Sequence, residues 1–326
     1  MSKRITINEI AKLAGVSKAT ISHYLNGNYS KMSLNTKEKI RLIIQETHYI
    51  PNKLASSLAT SKTRLIGVVI SDITNPFIAS VIKGIHDSCT SSGYSMMFTN
   101  SNNNQNIEKE NIKHLYQQNV SGVILDSTSL TTENLAVLNP NTTVLVDKQE
   151  EQTHFDTIIS DNTDSTKVFL KLMKEAGYTD IYFVTFPLKN VSTRNKRYKA
   201  FKEVVSTDPQ YLITIDDLNK EYLSELILKK DSKPAFFTMN GPVLLLLMKL
   251  LNQLNFHYPD DFGLGTYENL NWMEILNPPI SCIAQDSYQI GYVAAKHLIN
   301  KIEGNNPYDK ATIIEVENSI ILRNSF

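Results

Sequence analysis

Residues 6–27, TINEIAKLAGVSKATISHYLNG, decide how the N-terminal part of the chain folds. Thr6 and Glu9 stand at the T-x-x-E spacing of a capping box, so a helix, INEIAKLA, opens at Ile7. Ile7, Ile10, Leu13 and Ala14 recur at helical spacing and are expected to form its inward face. Gly15-Val16 supplies a tight turn, and Ser17 is placed to cap a second helix, KATISHYLN, which ends near Asn26-Gly27. Ile21 and Leu25 would pack this helix back on the first, turning Lys18, Ala19, Ser22 and His23 outward. A third amphipathic helix over about residues 35–47 places Ile40, Ile43 and Ile44 on the core side. Helix, glycine turn and small-residue second helix describe a helix-turn-helix, whose second helix enters the DNA major groove N-terminus first.

Charge separates this reading from a merely structural three-helix bundle. The net charge of the 326-residue chain is zero, but residues 1–64 hold eleven lysines and arginines against three acids, a net of +8. The remainder carries 22 against 30, a net of −8. A basic arm on a mildly acidic body fits a polyanion partner. The N-terminus has no apolar signal core, and Cys89 and Cys282 form no metal or redox spacing, which suits a reducing cytoplasm. The longest apolar run, VLLLLMKLLNQL (residues 243–254), is too short to span a bilayer, so no membrane role is expected and a buried helix is.

From Leu65 the texture changes. LIGVVI is a continuous apolar run, as expected of a parallel strand covered on both faces. YSMMFTN, VSGVILD, TVLVD, TIIS, DIYFVTF, PAFFTM and GLGTY follow with helical patterns between them, and TIIEVENSIILR forms a small C-terminal strand region. The alternation implies an α/β body of doubly wound parallel sheets, and two such sheets fit its length. Ligands of open α/β sheets sit beyond the carboxyl ends of strands, so two facing lobes would create a cleft there. The expected division is residues 1–50, a linking segment 51–64, and a body 65–326. The linking segment is itself patterned as a helix, with Leu54, Ala55, Leu58 and Ala59 at helical spacing and Pro51 near its start. A helix of about ten residues is marginal on its own.

The N-terminal motif, followed by YIPNKLASSLAT, resembles the lactose/galactose repressor family of bacterial transcription regulators. The resemblance continues through LIGVVISDITNPF, IISDNTDS and NPPISCIAQDSYQIGYVAAKHLINKIEG and covers essentially the whole chain. It implies a sequence-specific regulator, most simply a repressor of carbohydrate-utilisation genes, in which a helix-turn-helix and hinge helix precede a periplasmic-binding-protein-like effector domain. Lys18 and Ala19 then begin the recognition helix, with His23 one turn on. Lysine reaches guanine O6/N7 and alanine touches a thymine methyl. Thr6, Ser17, Thr20 and Asn26 become phosphate-positioning residues. Residues 51–64 become a hinge helix in which Leu58 wedges into a base step and Asn52 and Ala55 lie along the minor groove. Ser56 stands where relatives carry a larger Arg or Gln.

In the body the resemblance assigns Phe77, Asp147, Thr193, Arg197, Asn240, Glu268 and Gln285 to the effector pocket. Ala200 replaces a family glycine, Gly241 replaces an aspartate, and Glu268 stands where relatives usually carry aspartate. Carboxylates, amides, a guanidinium fork and an aromatic face suit a polyol. Arg194 adds a second guanidinium, with Lys189 and Lys196 nearby, which points to a sugar acid beside a neutral sugar. The expected partners are a pseudo-palindromic double-stranded operator, a sugar or sugar-acid effector and a second copy of the chain. Residues 78–92 and 242–277 are the candidate dimer surfaces. No leucine-heptad tail follows ILRNSF, so a dimer is expected rather than a tetramer. No cofactor is expected. None of G-x-x-x-x-G-K-[ST], G-x-G-x-x-G, H-E-x-x-H or G-x-S-x-G occurs, which weighs against an enzyme fused to a DNA-binding arm. The remaining alternatives are a solute-binding protein, disfavoured by the basic arm, and a global regulator with a phosphorylated protein corepressor.

Overall fold

A computed structural model of the chain describes residues 5–49, 63–130, 135–149, 154–189, 191–305 and 310–326. The chain divides after Thr63 into an N-terminal helical unit and an α/β body. The hinge reading for Asn52, Ala55 and Leu58 lies outside the described residues.

In the first unit α1 (Ile7–Ala14), α2 (Lys18–Leu25) and α3 (Leu34–Thr47) surround one small core. The capping box forms as the spacing predicts: the Glu9 N–H donates to the Thr6 hydroxyl, and the Thr6 N–H donates to Glu9 Oε2 at 2.7 Å. Gly15 takes φ 67° at the end of α1, the left-handed conformation in which glycine alone carries no side-chain penalty. Ser17 caps α2 through the Thr20 N–H, and Ser33 caps α3 through that of Thr36. Ile10, Ala14, Ile21 and Ile40 are buried as expected. Leu13 is a correction: it is 55% exposed, and Ala11 is buried in its place.

The body holds two six-stranded sheets. The first contains β1 (Leu65–Ile70), β2 (Ser95–Asn100), β3 (Gly122–Leu125), β4 (Thr143–Val146), β5 (Asp156–Ser160) and β11 (Ile313–Val316), in the order β11-β5-β4-β3-β1-β2 and entirely parallel. The second contains β6 (Asp180–Thr185), β7 (Leu212–Thr214), β8 (Pro234–Thr238), β9 (Gly263–Tyr267), β10 (Ser281–Gln285) and β12 (Asn318–Ile321), in the order β12-β10-β9-β8-β6-β7. Only β12 runs antiparallel there. The doubly wound reading holds, with two additions. β7 and β10 complete the second sheet, and the C-terminal region splits into β11 and β12, one for each sheet.

The helices over the first lobe are α4 (Pro76–Ser91), α5 (Gln105–Gln117) and α10 (Ser287–Ile302). Those of the second are α6 (Asp164–Glu175), α7 (Ser192–Val204), α8 (Lys220–Ile227) and α9 (Gly241–Asn252). The chain therefore passes between lobes three times, after β5, after β10 and between β11 and β12. A β-carbon on Gly84 of α4 would collide with the Tyr288 carbonyl, and one on Gly291 of α10 with that of Val81, so these helices pack backbone to backbone. The apolar run 243–254 becomes α9, which buries Val243, Leu244, Leu247 and Leu251 but leaves Leu245 and Leu246 exposed. Among the described residues no helix is long and apolar enough to cross a membrane.

Candidate nucleic-acid interface and effector cleft

On the helical unit, Ile21 faces the core, and the opposite side of α2 carries exposed Lys18 and Ala19 with half-exposed Ser22 and His23 one turn on. This is the surface that the i, i+4 pattern predicts. The phosphate candidates divide. Ser17 and Thr20 pair their hydroxyls at 2.9 Å, and Ser17 also caps the helix, so the two hold the entry of α2. The Thr6 hydroxyl is already bonded inside its capping box. Exposed Asn26 closes the helix, with its amide 3.4 Å from the Ser22 hydroxyl. Lys37 lies over the Tyr29 ring at 3.9 Å, an aromatic contact that helical periodicity did not reveal because it joins a turn to the next helix.

In the body, the carboxyl ends of both sheets face a cleft. Phe77 and Ser80 at the start of α4 meet Glu268, Leu270, Trp272 and Gln285 of the second lobe around a cavity of about 450 Å³. The structure thus brings Phe77, Glu268 and Gln285 together around one cavity. Arg197 of α7 stands against them, 3% exposed, with its guanidinium 3.4 Å from the centre of the Tyr267 ring. Its Nε donates to Asn162 Oδ1 at 2.8 Å, Nη1 to the Met239 carbonyl at 2.7 Å, and Nη2 to Gln285 Oε1 at 3.2 Å. Three of its five donors therefore bind protein. Asn162 lies in the passage after β5 and Gln285 ends β10 just before the next passage, so Arg197 is bonded beside two of the crossings between lobes. Tyr267 reaches the third: Asn318 Nδ2 donates to the Tyr267 hydroxyl at 2.7 Å and to the Asp161 carbonyl at 2.6 Å.

The other candidates take different places. Asn240 is the cap of α9, its side chain accepting from the Val243 N–H at 3.1 Å. Thr193 is buried on α7. Arg194 is half-buried, donates to the Pro187 carbonyl at 2.7 Å and lies 5.3 Å from the Phe186 ring centre. Burial pulls its guanidinium below its usual value, and Asp147 alone acts in the other direction. Asp147, half-buried after β4, is pushed upward by burial, with Lys148 the main opposing charge. Lys148 donates to Asp126 Oδ1 at 2.8 Å. Lys196 donates to the Gln149 side chain, and Ser192 accepts from the Gln149 N–H, so α7 reaches across to the first lobe.

Glu268 is 6% exposed and accepts from the Gly241 N–H at 2.9 Å. Burial raises its carboxyl to about 7, against lowering by the Gly241 N–H and Arg197, while Asp147 raises it further. Sequence reading missed Asn162, Tyr267 and Trp272. Tyr267 is the last residue of β9, Trp272 follows that strand and Asn162 lies in the passage after β5, and their position relative to the cleft depends on the closed topology rather than on local spacing.

Residues 6–52 match the model of bacterial regulatory proteins of the lacI family, and residues 170–326 match a periplasmic binding protein-like domain. The HTH-type transcriptional regulator KdgR of Bacillus subtilis (strain 168) is 32% identical, over 98% of this chain and 97% of its own. The HTH-type transcriptional regulator PtxS of Pseudomonas putida is 30% identical, over 99% and 96%. A solved lac repressor dimer, bound to operator and the anti-inducer ONPF, superposes with a TM-score of 0.82 at 21% identity, covering 99% of both chains. At that identity the last likeness speaks for the fold.

Proposed function

Because the chain belongs to the lacI family of bacterial regulatory proteins, which are DNA-binding transcriptional regulators, we propose that it represses carbohydrate-utilisation genes under the control of a small-molecule effector. The observation that carries this reading is the union, in one chain, of a basic helix-turn-helix and a two-lobed body with a polar cavity at its strand ends. Lys18 and Ala19 read base edges, with His23 and Ser22 beside them, and the effector occupies the cleft between Phe77, Glu268 and Gln285. Arg194 favours an acid over a neutral sugar: a half-buried guanidinium lowered by burial gains from a ligand carboxylate.

Two-fold pairing of the chain would present two recognition helices to a pseudo-palindromic site. Exposed apolar side chains supply the surface. Met97 and Phe98 stand on β2, the open edge of the first sheet, and Leu245 and Leu246 on α9, and Ile275 is exposed as well. The outer face of α4, by contrast, is polar, with Lys83, Asp87 and Tyr288 in contact.

Effector binding shifts the DNA equilibrium only through different affinity for the two lobe arrangements. Selection of bound duplexes from a random library tests the DNA reading: a two-fold symmetric consensus is expected, and enrichment without symmetry contradicts it. A thermal-shift panel of neutral sugars and their acids tests the effector reading, with stabilisation by acids expected and silence from every acid counting against it.

A further inference from the structure

Beside Glu268 stands a glycine, Gly241, whose absent side chain leaves room for the carboxyl group. Gly241 has no left-handed backbone that would demand glycine. The demand is for space: a β-carbon there would lie 2.8 Å from Glu268 Oε2 and would run into Leu270 Cδ1. Gly241 is also the first residue of α9, and its N–H, one of the donors a helix start leaves without an internal partner, is the one Glu268 accepts at 2.9 Å. Asn240 satisfies a different donor, that of Val243. Glu268 itself has φ 100°, a conformation side-chain-bearing residues seldom adopt, and its N–H is held by the Ile283 carbonyl at 2.8 Å. The charged groups facing Glu268 are Arg197 from α7 and Asp147 after β4.

We propose that Gly241 and Glu268 act as one specificity element: the missing β-carbon at 241 seats the Glu268 carboxyl group on the first N–H of α9, and the seated group selects the polar substituents of the effector. This rests on the effector reading of the cleft, and the test keeps the two apart. Trp272 is the only tryptophan in the sequence and lines the same cavity as Glu268, so its emission is the probe of that cavity. Full-length wild type, G241A, E268Q and the double variant are followed by Trp272 emission between about pH 5 and about pH 9 without ligand. They are then titrated with D-glucose, D-gluconate, D-glucuronate and D-galacturonate.

Without ligand, wild type shows a step near pH 7 that E268Q lacks, and G241A moves it upward because the N–H bond that lowered it is lost. For each compound that binds wild type, G241A and E268Q each weaken binding by about tenfold or more, and the double variant is no worse than the worse single. A G241A step at the wild-type pH, or losses that simply add, overturns the pairing. If no compound binds but the step moves as stated, the effector reading fails and the pairing stands. Should G241A not fold, E268A carries the test through hydrogen exchange of residues 239–244: faster exchange supports the bond to Gly241, and an unchanged rate overturns it.

Discussion

The Glu268 carboxyl group, raised by burial from an ordinary 4.5 to about 7, makes the body's stability depend on pH. The folded state prefers its protonated form, so its contribution is fully present below about 4.5 and is lost as pH rises through about 7. The shift corresponds to a penalty on the order of 3 kcal/mol once both states are ionised. Glu268→Gln keeps an acceptor for the Gly241 N–H and removes the ionisation. It should therefore raise the melting temperature at about pH 8 and leave it unchanged near pH 4.5, which calorimetry at the two pH values checks. Equal effects at both would place the ionised group elsewhere. Arg197 stands at the other extreme, with three donors satisfied by protein and an aromatic face beneath it. The motif around Arg197 pointed to the cleft, but its partners Asn162 and Met239 lie 35 and 42 residues away, beyond the reach of local spacing.

At the scale of elements, α4 and α10 show how tightly two helices are locked. Replacing Gly291 with alanine adds helix propensity worth about 1 kcal/mol. It also drives a methyl group into the Val81 carbonyl, where both elements are backbone and neither side chain can yield. We expect the collision to win, lowering stability by about 2 kcal/mol and the urea midpoint with it; an unchanged midpoint would mean the helices separate freely. Elements set by neighbours three or four residues apart were legible in the sequence: the Thr6–Glu9 box, the Ser17 cap and the apolar strands appear where their patterns place them. Leu13 was misplaced because helix periodicity gives a stripe but not the distance to the next helix. TIIEVENSIILR read as one small region because nothing within it tells that Ile313–Val316 pairs with β5 while Asn318–Ile321 pairs with β10.

For the whole molecule, the open edge at β2 and the outer face of α9 are where association should be felt. Combining Phe98→Glu with Leu245→Glu places charge on both exposed apolar surfaces without touching the core. Sedimentation should then show a monomer with unchanged circular dichroism, and operator affinity should fall because half-sites no longer bind together. A variant that still sediments as a dimer would locate the interface elsewhere. The return of α10 to the first lobe has a consequence for how the protein is made. Ile290, Ala294, Ala295, Leu298 and Ile299 complete a core begun by Ile66, Val68 and Ile85, more than two hundred residues earlier. During synthesis the helical unit precedes the body, and among the described residues its core lies between Ile5 and Tyr49. The first lobe must wait, with an apolar face uncovered, until α10 has left the ribosome. A nascent chain thus has its helix-turn-helix before it has a cleft.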